Sequence, residues 1–296
     1  MRIAVIGCGK QGRRHLAAFA RLPAVDGLVV ADADDTRTVA AACDNGAVAV
    51  PVDDVFADEI DAVVIATPTA THLSLARRAF ESGMHVLCEK PFGADPVAAR
   101  GLAADAAAKG LVGRVGYLYR FAPSIAAARA RVRDIGEVEE VRFAIASPGN
   151  HASWKHRRES SGGAVHELAS HMVDLALWFF GPARLDGMAI ERRETRRIIG
   201  GKRIVADAED RVVARLGRSL IEADFAAKRF AQSIDIQGTQ GEIHASIEGA
   251  PDLYRIQAQS FLAAIAGARR DDACDFADAV QVSQILQAMR AVPATP

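Results

Sequence analysis

Val5-Ile6-Gly7-Cys8-Gly9-Lys10-Gln11-Gly12 closes the β-branched run Arg2 to Ile6. It opens a segment, Gln11 to Arg21, in which Leu16, Ala17, Phe19 and Ala20 recur at helical spacing. In such a strand, turn and helix the first glycine permits the tight turn. The second lets backbone approach a pyrophosphate, and the third lets helix and strand pack closely, with phosphates at the helix amino terminus. Gly7, Gly9 and Gly12 fill these places, and Lys10 and Gln11 lie between the last two. Asp32 stands 20 residues beyond Gly12, at the end of a second apolar strand, Leu28 to Ala31. A carboxylate there accepts hydrogen bonds from ribose hydroxyls, which makes the turn a dinucleotide site. It also repels a 2′-phosphate, so NAD is expected over NADP, with Arg13, Arg14 and Arg37 as the cations able to offset that preference.

Working outward, Ala62 to Ala66 is apolar throughout, as in a strand covered on both faces, and breaks at Thr67-Pro68-Thr69. A helix over Thr71 to Ser82 stops at Gly83, and Met84 to Cys88 is the next strand. Pro96 to Lys109 reads as a helix with proline in its first turn, and Leu111 to Leu118 as a last strand. This alternation argues for βαβ units, so residues 1–120 are expected to form a doubly wound parallel sheet of Rossmann type. Cys88-Glu89-Lys90-Pro91 places a lysine just past an apolar strand, near the carboxyl ends where such sheets bind ligands. An enzyme is expected rather than a bare nucleotide-binding scaffold.

Beyond residue 120 the period changes. Ser124 to Arg133 reads as a helix, and Val138 to Ala146 alternates Val141, Phe143 and Ile145 with Arg142 and Ala144. Similar strands are expected at Gly187 to Arg192, Arg211 to Leu216, Ser219 to Ala226, Gln232 to Gln237 and Glu242 to Ile247, with short antiparallel connections. Residues 121–296 are therefore expected to form an α+β domain with a large, open, mostly antiparallel sheet. Leu253 to Ala266 and Phe276 to Ala291 are closing helices, the last able to pack back on the first domain, and Pro293 to Pro296 a frayed tail.

The 296 residues carry 36 Lys plus Arg against 37 Asp plus Glu, a near balance that points away from nucleic acid and anionic membranes and toward a small molecule. Cys8, Cys43, Cys88 and Cys274 form no C-x-x-C pair, Met1-Arg2 leads straight into a strand, and no apolar run reaches a membrane span. A reducing, cytoplasmic location is expected.

Several segments together resemble the glucose-fructose oxidoreductase, inositol dehydrogenase and MocA family of NAD(P)-dependent oxidoreductases. They are VIGCGKQGRRH at Val5 to His15, VVADAD at Val29 to Asp34, ATPTATH at Ala66 to His72, GMHVLCEKPF at Gly83 to Phe92, YRFAP at Tyr119 to Pro123, and GGAVHELASHMVDLALWFFG at Gly162 to Gly181. The resemblance implies a Rossmann domain followed by an α/β domain with a large open sheet. It implies that Thr67, Pro68 and His72 border the cofactor path, that Glu89 meets the nicotinamide ribose, that Lys90 reaches cofactor and substrate, and that Arg120 lies near the nicotinamide end. It further implies a homodimer or homotetramer joined through the exposed sheet face.

In a helix Glu167 and His171, four residues apart, share one face and can pair as acid and imidazole, with Asp174 a second possible partner. The family usually has aspartate at the Glu167 position. Trp178, Phe179 and Phe180 read as core. His166 and His171 are five apart, about 140° around a helix, which does not suit a zinc helix, and no metal is expected. No Gly-x-Ser-x-Gly elbow is present. The resulting expectation is hydride transfer between nicotinamide and a secondary alcohol or ketone of a sugar, cyclitol or related polyol. Either His171 or Lys90 carries the proton, Lys90 steadies developing alkoxide, and Glu167 orients the imidazole. Asn150, Trp154 and Lys155 are candidate substrate contacts. The alternatives are an NAD-dependent glycosidase working by transient oxidation and elimination, and a non-catalytic nucleotide-sensing regulator.

Overall fold

A computed structural model describes residues 1–57, 59–148, 152–160, 162–191, 196–199, 201–268 and 272–292. The chain divides into two compact units, Met1–Leu118 with Asp252–Val280, and Tyr119–Pro251 with Gln281–Pro296.

The first unit begins β1 (Arg2–Ile6), α1 (Lys10–Phe19), β2 (Gly27–Ala31), α2 (Asp35–Asn45) and β3 (Val48–Ala49). It continues β4 (Ala62–Ile65), α3 (His72–Glu81), β5 (His85–Cys88), α4 (Pro96–Ala108) and β6 (Gly113–Val115). These strands lie in the order β6-β5-β4-β1-β2-β3, all parallel. All four residues of β4 are buried, as its apolar run required. Two elements were not anticipated, α2 and the two-residue β3. Asp34 caps α2 by accepting from the Arg37 amide at 3.2 Å, and Gly46 ends it at φ 65°. Between them stand three alanines and Val39, which is 56% exposed, so periodicity had little to register. The expected last strand is only three residues, and a 3-10 turn follows at Leu118–Phe121.

The second unit contains α5 (Pro123–Arg131), β7 (Val138–Pro148), α6 (Ser170–Phe180), β8 (Leu185–Glu191), β9 (Arg196–Ile199), β10 (Lys202–Val205), β11 (Arg211–Leu216), β12 (Ser219–Ala227), β13 (Ala231–Gly238) and β14 (Gly241–Ala245). Six strands form one sheet, β14-β13-β7-β12-β11-β8, antiparallel except where β12 runs parallel to β7. Val141, Phe143 and Ile145 are buried on the face against which α6 packs. Phe179 and Phe180 meet Phe143 edge-on at 5.7 and 6.3 Å. The hairpin β9–β10 stands as a separate ribbon, a feature the alternation did not announce.

The chain then returns to the first unit through α7 (Leu253–Ile265) and β15 (Cys274–Asp275), before α8 (Phe276–Ala291). β15 joins the first sheet antiparallel to β6. α7 places Ala258, Phe261 and Leu262 in the same apolar cluster as Leu16, Phe19 and Val30. The division thus differs from a single cut at residue 120. Among the described residues no helix is long and apolar enough to cross a membrane. The Pro293 to Pro296 tail lies outside the described residues.

Candidate functional site

The β1–α1 turn shows three glycines under different constraints. Gly7 has φ +103° and donates its amide to Ala31 O at 2.8 Å, and a Cβ there would stand 2.5 Å from Ala66 O. A Cβ on Gly12 would stand 1.7 Å from Gly7 O, so helix and turn meet only because it has none. A Cβ on Gly9 would meet no protein atom within 4 Å. Protein sterics therefore leave Gly9 free, and the space over it, at the α1 amino terminus, suits a pyrophosphate. Lys10 is exposed there, and Gln11 accepts from Arg14 Nη1 at 3.4 Å.

Asp32 follows β2 with its carboxylate turned to this bend. Its Oδ2 accepts from the Cys8 amide at 2.6 Å and its Oδ1 from the Asp34 amide at 3.0 Å. The cations flanking it are engaged: Arg37 Nε pairs with Asp34 at 3.1 Å, and Arg13 donates to Cys8 O at 3.2 Å and faces Asp44 at 3.8 Å. Burial, with the Asp32 charge beside it, pushes the Cys8 thiol up to about 11.

Loops after β4 and β5 carry the next residues. Thr67 Oγ1 lies 2.7 Å from Thr71 Oγ1, and Thr71 donates to Pro68 O at 2.8 Å, closing the bend. His72 starts α3 and is 1% exposed, with Nε2 2.9 Å from Thr67 O and Nδ1 2.9 Å from Pro91 O. Burial holds this imidazole below its usual value against the pull of both carbonyls. Both ring nitrogens face main-chain carbonyls, so the ring braces the loops after β4 and β5. Glu89 is buried, its Oε1 2.8 Å from His15 Nε2 on α1 and its Oε2 3.2 Å from the Lys90 amide. Burial raises this carboxyl, but the bond and charge of His15, then Lys90 and His72, outweigh it and hold the group below its ordinary value. Lys90 is half-buried, and its bond to Pro91 is cis. His15 had no role in the sequence reading; its only signal was a position three residues past Gly12.

In the second unit the motif segment differs from a plain α-helix. Val165–Ala169 forms a π-helical turn that runs into α6. Ser170 Oγ donates to His166 O at 2.7 Å, taking a carbonyl four residues back that an α-helix would give to a main-chain amide. Gly162 and Gly163 precede it. A Cβ on Gly162 would stand 2.2 Å from Lys155 O, and one on Gly163, at φ +94°, 2.8 Å from Glu209 Cδ. Buried Glu209, unmarked in the sequence, accepts from the Val165 amide at 3.1 Å and so caps the turn.

Glu167 is bound by Lys155 Nζ at 2.5 Å, and that ammonium also lies 5.2 Å over the ring of Trp154. Lys155 is thus built against the motif rather than loose in a loop. Asn150 lies outside the described residues. His166 Nδ1 is 3.1 Å from Arg290 Nη1, and since a guanidinium only donates, that nitrogen accepts. Arg120, expected beside nicotinamide, is 2% exposed and grips Asp174 through Nε at 3.0 and 3.1 Å and Nη2 at 2.7 Å. It is held in a buried ion pair with α6, and the Asp174 carboxylate considered for His171 is the other half of that pair. Beside it Tyr119 stacks on His171, ring centroids 4.5 Å apart at 27°.

Two family profiles match this chain. The one described as "Oxidoreductase family, NAD-binding Rossmann fold" covers residues 1–117, and the GFO/IDH/MocA C-terminal domain covers residues 125–244. The chain belongs to this GFO/IDH/MocA oxidoreductase family. It is similar to the dTDP-3,4-didehydro-2,6-dideoxy-alpha-D-glucose 3-reductase of Streptomyces violaceoruber, 32% identical over 73% of this chain and 66% of the relative. It is also similar to the inositol 2-dehydrogenase of Rhizobium meliloti, 33% identical over 61% of this chain and 55% of the relative. The matched stretches thus span less than two thirds of these curated relatives. The crystal structure of GenD2 from gentamicin A biosynthesis in complex with NAD superposes with a TM-score of 0.88 at 25% identity, covering 97% of this chain and 92% of that one.

Proposed function

We propose that this chain is an NAD-dependent dehydrogenase or reductase acting on a secondary hydroxyl or ketone of a sugar, cyclitol or related polyol. The observation that carries the reading is Gly9, the one glycine of the turn whose bareness no protein atom requires, set beside the Asp32 carboxylate. Gly7, Gly9, Lys10, Gln11 and Gly12 would hold the pyrophosphate, Asp32 a ribose, and Thr67 and Pro68 the path beyond, with His72 and the His15–Glu89 pair fixing the loops. NAD is preferred over NADP because Asp32 disfavours a 2′-phosphate and Arg13 and Arg37 already face Asp44 and Asp34.

When bound, NAD supplies the hydride acceptor or donor. The chain supplies the proton chemistry. In oxidation His171 takes the hydroxyl proton, and Lys90, as ammonium, is assigned the steadying of alkoxide character, a service worth about 10²–10³ in rate. Glu167, paired with Lys155, keeps a fixed negative charge one turn before the imidazole. Homo-oligomers are proposed to form through the outer face of the six-stranded sheet, where Arg142 meets Glu222 at 2.7 Å and Asp235 at 3.7 Å.

Purified protein mixed with NAD or NADP and a panel of sugars, inositols and sugar nucleotides tests the assignment by the absorbance of reduced cofactor. At least one polyol should reduce NAD, with kcat/KM higher than for NADP. Glycoside cleavage without net cofactor reduction, or no reaction with tight NAD binding, would replace this reading with an elimination-type hydrolase or a sensor.

A further inference from the structure

We propose that Tyr119 is a positioning residue for His171, fixing the plane of its imidazole and favouring its cationic form. The proposal rests on the reading of His171 as the proton carrier. Tyr119 and Arg120 are consecutive in the turn Leu118–Phe121, which the Ala122 amide closes on Tyr119 O at 3.1 Å just before α5 begins at Pro123. These two neighbours hold one face of α6 at successive turns. Tyr119 covers the ring of His171, and Arg120 grips Asp174 three residues on and lies 5.5 Å over Trp178 four residues further. Because the guanidinium is pinned inside an almost fully buried pair, the backbone carrying Tyr119 is pinned relative to α6, and the stacked ring cannot drift from the imidazole.

The charged groups flanking His171 on its own helical stretch are already matched, Glu167 by Lys155 before it and Asp174 by Arg120 after it. The Tyr119 face is an uncharged contact set between them. Burial pushes its phenol up to about 12, so it remains neutral while an imidazole titrates. An aromatic face attracts a cation through its quadrupole, so the stack favours the imidazolium formed when His171 accepts a proton. The hydroxyl has no part in this, which separates the ring's work from general acid chemistry by tyrosine.

Histidine-labelled protein, with and without NAD, tests the proposal by NMR titration, using His171→Gln to assign the resonance. Tyr119→Phe should match wild type, with ring protons of His171 displaced by the stacked aromatic. Tyr119→Leu, or Tyr119→Met should the leucine variant fail to fold, should lose that displacement, broaden, and lower the titration midpoint by about 0.5 pH unit. With the panel polyol, kcat should fall about tenfold while KM for NAD stays put. An unaltered midpoint and line shape in the aliphatic variant would overturn the proposal. Full turnover by His171→Gln would instead remove the proton-carrier reading, leaving the titration to decide the stacking on its own.

Discussion

Gly9→Ala and Gly12→Ala differ by one methyl in each of two neighbouring glycines, yet the fold assigns them opposite consequences. Alanine at Gly12 drives carbon into the Gly7 carbonyl and should cost several kcal/mol of stability, whereas alanine at Gly9 touches nothing. Thermal melting of Gly9→Ala should lie within about 2 °C of wild type, while calorimetry shows NAD affinity reduced by about tenfold or more. Equal destabilisation of both variants would count against a pyrophosphate over Gly9. Thiol reactivity follows from burial in the same way. Iodoacetamide near neutral pH should label exposed Cys43 and spare buried Cys8 and Cys88, whose thiols burial pushes up, as mass spectrometry can check. The glycine roles were legible in the sequence because a missing Cβ has few physical uses. The His15–Glu89 bond was not, since nothing local ties residues 74 positions apart.

At the scale of elements, the buried pairs Arg120–Asp174 and His15–Glu89 bear on stability. Asp174→Ala strands the Arg120 guanidinium inside the protein and should lower stability by about 3–5 kcal/mol in denaturant unfolding, more than typical surface changes. The Glu89 carboxyl is held below its ordinary value in the fold, so its contribution is fully present above the unfolded value and is lost as pH falls through the folded one. Unfolding free energy should therefore decline on the acid side, and Glu89→Gln should flatten that limb. An unaltered acid limb would show that the pair with His15 does not couple folding to protons. Most helices and strands could be read from apolar period, and α8 spans the expected Phe276 to Ala291. Apolar period has no way to register a π turn such as Val165–Ala169, where a side-chain hydroxyl at Ser170 and a carboxylate at Glu209 take up main-chain groups. Nor could it distinguish Lys155, a lysine in a polar loop, from any solvated cation.

At the scale of the whole molecule, the nucleotide-binding unit is completed by chain that arrives after residue 251. Phe261, 1% exposed, packs in the cluster that backs α1 and β2, so Phe261→Ala should cost about 3–5 kcal/mol and weaken NAD binding despite its distance in sequence. That return was only half legible, since the spacing marked helices near the end without saying that β15 would extend the first sheet. Charge balance and motif order pointed to a small-molecule oxidoreductase, whereas the grouping of Trp154 with Lys155 is disclosed only by the fold. The central proposal is that Lys90 and His171 each take part in the proton chemistry of hydride transfer. Its most direct test is kcat/KM and NAD affinity for Lys90→Ala and His171→Ala beside wild type, on a polyol that reduces NAD. The account predicts a loss of about 100-fold or more in kcat/KM for each, with the Kd for NAD changed by less than about threefold for His171→Ala. Wild-type turnover in either variant would contradict it.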